Sequence, residues 1–206
     1  MSYIDLNDEN ICGVLDNNHI LMTKTKYLFS CDYKCFFDPV NQLVHNDKDY
    51  YDYKIVVSNI KRKHLIYDKI RQIGSIELQS YTQYKKVYLC NLTNSNERFT
   101  ITKTTHDNPR NNDRTAPLKL IFNYNGNKYE SKRPIKGKKH YTVRLTRTLT
   151  NYIKSSRSNI IIVDNNDDTL FECVKIDTKS KYIITPSEKI PLIYSFILSC
   201  INNFSI

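Results

Sequence analysis

The last fifteen residues, LIYSFILSCINNFSI (192–206), are the most apolar stretch of a chain otherwise rich in lysine, asparagine and tyrosine. Wound as a helix, Leu192, Ile193, Tyr194, Phe196, Ile197, Leu198, Cys200, Ile201 and Phe204 cover almost the whole circumference, with only Ser195 and Ser199 as small gaps. A helix that is apolar on every face must be enclosed, either by protein or by a bilayer. Spanning hydrocarbon takes about 20 residues. The segment offers fewer than that before Asn202-Asn203, and no basic flank follows it. Pro191 fits the first turn of a helix, where a missing N–H costs nothing. The sequence therefore predicts a short helix over 191–204 that the rest of the fold must surround.

Elsewhere, apolar residues recur at period two in short runs separated by polar turns. Among them are KYLFSCDYKCFF (26–37), YDYKIVVSNI (51–60), QIGSIELQ (72–79), KKVYLCNL (85–92) and RFTITKT (98–104). Further along come LKLIFNYN (118–125), HYTVRLT (140–146), NIIIVD (159–164), TLFECVKID (169–177) and KYIIT (181–185). Tyr, Val, Ile, Phe and Thr dominate these runs, as a pleated, half-buried surface requires. Asn125-Gly126 between two of them is a strong hairpin signal, and Asn165-Asn166-Asp167-Asp168 marks a second turn. HDNPRNNDRTAP (106–117) lacks periodicity and reads as an exposed loop. About ten strands joined by short turns point to an antiparallel sandwich or barrel. Only a barrel wide enough to admit a helix buries every face of the C-terminal segment. The expected fold is mainly β: a single domain over 1–206, an antiparallel β-barrel enclosing a hydrophobic C-terminal helix.

The chain carries 31 Lys+Arg against 21 Asp+Glu, a formal net charge of +10. Such a surplus favours anionic partners, whether nucleic acid, acidic protein or phospholipid. An AT-rich coding sequence inflates lysine in the same way, with no partner involved. The N-terminal MSYIDLNDEN is acidic and lacks the basic-then-apolar order of a secretory signal, so a cytoplasmic location is expected. Six cysteines (Cys12, Cys31, Cys35, Cys90, Cys173, Cys200) show no CxxC pairing, and no histidine completes a zinc set around Cys31 and Cys35. Reduced thiols, with no metal and no cofactor, are the expectation.

Catalytic patterns are sparse. His19, His45, His64, His106 and His140 have no metal-ligand spacing, and no GxSxG, P-loop or GxGxxG occurs. His140-Tyr141-Thr142 has the His-x-Thr form of one phosphodiesterase class, but the second copy which that chemistry needs is absent. Tyr81 and Lys85 would share a face only on a helix, and their segment reads as a strand. No catalytic residue is expected.

The densest charge lies in NKYESKRPIKGKKHYTVRLTR (127–147), with Lys128, Lys132, Arg133, Lys136, Lys138, Lys139, Arg144 and Arg147 against the single carboxylate Glu130. Pro134 and Gly137 place its centre in a turn, where several amines project together and engage more than one phosphate. A shorter patch, Lys61-Arg62-Lys63-His64, lies between two strands and ranks below it. A solvated basic surface with no dedicated ligand is the plain alternative for both.

The segment SNIIIVDNNDDTLFECVKIDTKSKYIITPSEKIPLIYSFILSCINNF (158–204) resembles the closing strands and final helix of the tubby C-terminal fold, which LURP-one proteins and phospholipid scramblases share. YKIVVSN (53–59) with QIGSIELQSYTQYKKVYLCN (72–91) is similar to the paired strands around the family's Ile-Gly step. LKLIFNYNGNKYESKRPIKG (118–137) is similar to the strand leading to its Gly-Pro-Arg segment, reduced here to Lys132-Arg133-Pro134. The resemblance spans about residues 20–206 and is stronger in order than in identities. It implies a barrel threaded by a helix. In tubby proteins it also implies a phosphoinositide site built from a basic run on an early strand and from cations near the Ile-Gly step. The chain departs at both places: SCDYKCFFDPV (30–40) holds Lys34 as its only cation, and SIELQS after Gly74 holds none. Scramblase and LURP-one members lack that site as well.

The combined expectation is a monomeric, non-enzymatic binding module that engages anionic surfaces, with membrane phospholipid or phosphoinositide as ligand and a peripheral position at the membrane. Its anion-binding residues would be Lys128, Lys132, Arg133, Lys136, Lys138, Lys139 and Arg144, with Lys34 from the early strand. The alternatives are a nucleic-acid-associated protein using the same basic hairpin with its tyrosines, or a small phosphodiesterase-like enzyme.

Overall fold

The period-two segments pair into a closed antiparallel ring. The computed structural model describes residues 15, 18–40, 42, 50–58, 60–69, 71–93, 95–105, 118–136, 141–142, 156, 158–176 and 180–204. The strands along the first half are β1 (Ile20–Lys26), β2 (Ser30–Phe36), β3 (Tyr53–Ser58), β4 (Lys63–Asp68), β5 (Arg71–Tyr81), β6 (Lys86–Leu92) and β7 (Glu97–Thr105). The second half supplies β8 (Leu118–Tyr124), β9 (Asn127–Ser131), β10 (Ile135–Lys136), β11 (Tyr141–Thr142), β12 (Ile160–Val163), β13 (Thr169–Lys175) and β14 (Lys181–Pro186). Twelve of them close the barrel in the order β1-β14-β13-β12-β9-β8-β7-β6-β5-β4-β3-β2, while β10 and β11 form a separate two-stranded ribbon. The loop expected over 106–117 and most of the run at 140–146 lie outside the described residues.

Two of the tight places follow their sequence signals. Asn125 and Gly126 join β8 to β9 with φ of 49° and 76°, the pair of positive values that a tight hairpin of matching twist requires. Gly74 sits where β5 presses on β6: a Cβ there would lie 2.4 Å from the Asn91 carbonyl oxygen, so any side chain forces the strands apart. A third place differs from expectation. The run 26–37 is not one strand but the end of β1, a hairpin tip at Tyr27-Leu28-Phe29, and β2. Tyr27, Leu28 and Phe29 are 55%, 83% and 62% exposed. Their apolarity reads as strand in sequence, although none of it is buried in the core.

Helix α1 (Leu192–Asn202) runs through the barrel, and each of its residues from Tyr194 to Asn202 is buried. Side chains facing inward from the strands supply its surroundings: Met22, Tyr33, Cys35, Ile55, Ile66, Ile76, Tyr88, Cys90, Ile101, Phe122, Ile162, Phe171 and Ile184 all belong to the same buried cluster. Fully burying one such side chain contributes roughly 1.5–3 kcal/mol, so the helix is a principal source of stability. Its first turn is pinned by Glu97, whose carboxylate accepts from the hydroxyls of Tyr194 and Tyr124. Ser199, one of the small gaps, donates to the Ser195 carbonyl at 2.7 Å. Among the described residues no helix is long and apolar enough to cross a membrane. Cys31, Cys35, Cys90, Cys173 and Cys200 are free and buried.

The far end of α1 raises the harder problem, because the last carbonyls of a helix have no intrahelical donors. Lys103, 2% exposed on β7, resolves it. Its ammonium donates to the carbonyl oxygens of Ile201, Asn202 and Phe204 at 3.1, 2.8 and 2.5 Å. An ammonium has three protons to donate, and these three carbonyls lie within hydrogen-bond reach of it. The positive charge also lies at the negative end of the helix dipole. Lys103→Met should cost about 3 kcal/mol or more, because the Asn202 and Phe204 carbonyls lose a buried, charged donor. Urea unfolding of the two proteins measures it, and a loss below about 1 kcal/mol would show that the helix end is held by other means.

Candidate anion-binding site

In the antiparallel ring, the β1–β2, β3–β4 and β5–β6 turns all project from the end of the barrel where α1 finishes. A cavity of about 490 Å³ opens there. Its floor is Asn203 and Phe204 after the helix, together with Tyr33, His64 and Tyr88 from the strands. Phe204 packs against the rings of Tyr33, His64 and Tyr88 at centroid distances of 5.8, 5.1 and 5.7 Å. The Asn203 carbonyl accepts from Lys24 Nζ at 3.2 Å and from the Tyr33 hydroxyl at 3.1 Å. The helix end that Lys103 holds from one side is therefore held from the cavity side by Lys24.

The walls are cationic. Lys24, Lys26, Lys61, Arg62 and Lys86 line the cavity with the hydroxyls of Ser30 and Ser58, and no Asp or Glu is among its described lining residues. Local structure places them. The Ser58 hydroxyl accepts from the N–H groups of Ile60 and Lys61 at 3.2 and 3.0 Å. This side-chain-closed turn sets Lys61 and Arg62 over the opening. Arg62 lies across the Tyr81 ring at 5.4 Å, and Lys24 across that of Tyr33 at 5.0 Å. Burial lowers Lys24 and Lys86 below the ordinary lysine value, so a bound anion would relieve a cost that both already carry. Burial likewise raises the Cys31 thiol and pushes the Tyr88 phenol up to about 12.

The residues singled out from the sequence lie elsewhere or outside the description. Lys128 pairs with Glu130 at 3.3 Å, which Lys119 also reaches at 3.0 Å. Lys132 pairs with Asp167 at 2.8 Å, a carboxylate from the β12–β13 turn that a count along 127–147 does not include. Arg133 is exposed, and Lys136 is described only as backbone of β10. Lys138, Lys139 and Arg144 lie outside the described residues. Lys34 is on the outer face of β2, 5.5 Å from the Tyr51 ring. Lys34, Lys128, Lys132 and Arg133 do not line the cavity. The lower-ranked patch at 61–64 does, through Lys61, Arg62 and His64. Lys24 and Lys26 on β1 and Lys86 on β6 had no signal in sequence, since only barrel closure brings the ends of those two strands to one cavity.

Neither a protein-family model nor a characterised protein nor a solved structure matches this chain.

His64 bears on the acid stability of the site. Burial holds its imidazole down to about 4, and its Nδ1 has no hydrogen-bond partner among the described residues. The unfolded chain takes up the proton near pH 6.5 and the folded one only near 4. Stability is therefore lost as pH falls from about 6.5 to 4, up to about 3 kcal/mol in all. His64→Phe keeps a ring against Phe204 and removes the titration. Urea midpoints at the two ends of this window should converge in the variant relative to the parent, and equal acid losses would refute the assignment.

Proposed function

We propose that this chain is a non-enzymatic binding module whose ligand is a multiply anionic, phosphate-bearing group received in the cavity at the end of the barrel. The observation that carries the reading is the convergence of five cationic side chains on one concavity with no carboxylate among its described walls. A cluster of this kind repels itself in the absence of a counter-charge. It matches a group carrying several phosphate oxygens, with Arg62 able to offer two parallel N–H donors and the lysines acting as point charges. The neutral His64 and the tyrosine hydroxyls of the floor supply uncharged contacts. A closed barrel around its own C-terminal helix, added to the sequence likeness, supports kinship with the tubby superfamily. The cavity reading rests on the residues of this chain alone.

Tripolyphosphate is a suitable soluble probe. A ligand that binds only the folded state adds about 2.7 kcal/mol of stability at a hundredfold excess over Kd, which raises Tm by several degrees. Calorimetric scans should show that shift in the parent and in Lys128→Glu/Lys132→Glu, but not in Lys26→Glu/Lys61→Glu/Arg62→Glu. The reverse pattern would move the site to the β9 segment, and no shift in any of them would end the anion reading.

A further inference from the structure

We propose that the cavity end of the barrel is a membrane-docking face, with the β1–β2 and β3–β4 tips entering an anionic bilayer while the cavity takes a lipid phosphate headgroup. The inference rests on the anion reading of the cavity and adds the source of the anion. Its ground is an independent feature: the rim of this basic cavity is apolar. Leu28 and Phe29 are 83% and 62% exposed at the tip of the hairpin whose Tyr27 and Ser30 line the cavity. Ile60, 76% exposed, occupies the adjacent β3–β4 tip and lines it too.

These residues run against local preference. Hairpin tips ordinarily hold Gly, Asn, Asp, Pro or Ser, whose backbones or side chains satisfy the turn. Here the Tyr27 N–H to Ser30 carbonyl bond of 2.9 Å closes a turn whose two central residues are Leu28 and Phe29. Neither reaches the core, so folding does not explain them. Departures of this kind concentrate where function demands them.

Charge and apolarity at this end match the two layers of a bilayer surface. Cations within a Debye length of an anionic leaflet are attracted to it, and Lys26, Lys61 and Arg62 stand immediately behind the apolar tips. Leucine, isoleucine and phenylalanine at the tips then reach past the phosphates to the acyl boundary, as the apolar faces of interfacial segments do. A nucleic acid fits less well. Its bases would be met by stacking rings along a groove, whereas Leu28 and Ile60 cannot stack and project outward from separate turns.

The chain has no tryptophan, so Phe29→Trp places a lone reporter at the tip. With phosphatidylcholine–phosphatidylserine vesicles at about 4:1, its emission should shift to the blue. Tripolyphosphate should leave it unmoved. Leu28→Ser/Phe29→Ser changes no charge, so a fall in vesicle co-sedimentation by roughly tenfold with an unchanged tripolyphosphate shift in Tm reports loss of insertion alone. Vesicle binding that the serine pair does not weaken, or emission from the Phe29→Trp variant that is insensitive to vesicles, overturns the docking face while leaving the cavity reading in place. The same holds if the parent binds tripolyphosphate yet ignores vesicles, or captures single-stranded RNA at physiological salt in their stead. A parent that binds none of these probes overturns both readings together.

Discussion

A positive charge buried at the C-terminus of a buried helix organises this molecule. The ammonium of Lys103 gathers the carbonyls of Ile201, Asn202 and Phe204, at and just beyond the end of the helix, where intrahelical donors run out. Burying a lysine is expensive in the absence of compensation. Here the compensation is the helix terminus itself, three acceptors and the negative end of a dipole. Each group makes the burial of the other tolerable. Because Lys103 stands on β7 and Lys24, which reaches Asn203, stands on β1, the helix end ties together strands from well-separated parts of the ring.

The same arrangement shapes the candidate site. The helix stops short of the barrel's rim, and Phe204 forms the base of the cavity above it. Lys24 is engaged by the helix end and by the Tyr33 ring. Lys26, Lys61 and Arg62 stand farther out, with no carboxylate beside them in the described lining. Electrostatic demand therefore increases from floor to rim, and the rim itself ends in Leu28, Phe29 and Ile60. At the opposite end of the barrel, charges are paired. Lys189 meets Asp164 and Asp168 at 3.1 and 2.7 Å, and Lys132 meets Asp167. These exposed pairs add little to stability, but they leave that end without a comparable cationic surplus among the described residues.

Much of the fold was legible. Period-two runs identified most strands, Asn125-Gly126 identified a hairpin, and the all-round apolarity of 192–204 required a surrounding wall. The hairpin tip at 27–29 reads as strand because a pattern of apolar residues carries no sign of whether they face a core or solvent. The site was far less legible. Charge density along the chain favoured 127–147, where Lys128 and Lys132 have carboxylate partners. One of those partners, Asp167, is distant in sequence and close only after β12 and β13 pair.

What the sequence determined by itself was the class of solution. A segment apolar on all sides and too short for a bilayer has to be enclosed, and the alternating strands around it can enclose it only by closing on themselves. Local pattern decides this because strand and helix periods are properties of neighbouring residues. Which cations meet was decided by tertiary structure alone. Lys24 and Lys26 come from β1, Lys61 and Arg62 from the β3–β4 turn, and Lys86 from β6, and they converge because ring closure and register bring those ends together. Coulomb interactions depend on separation in space, and separation along the chain does not report it.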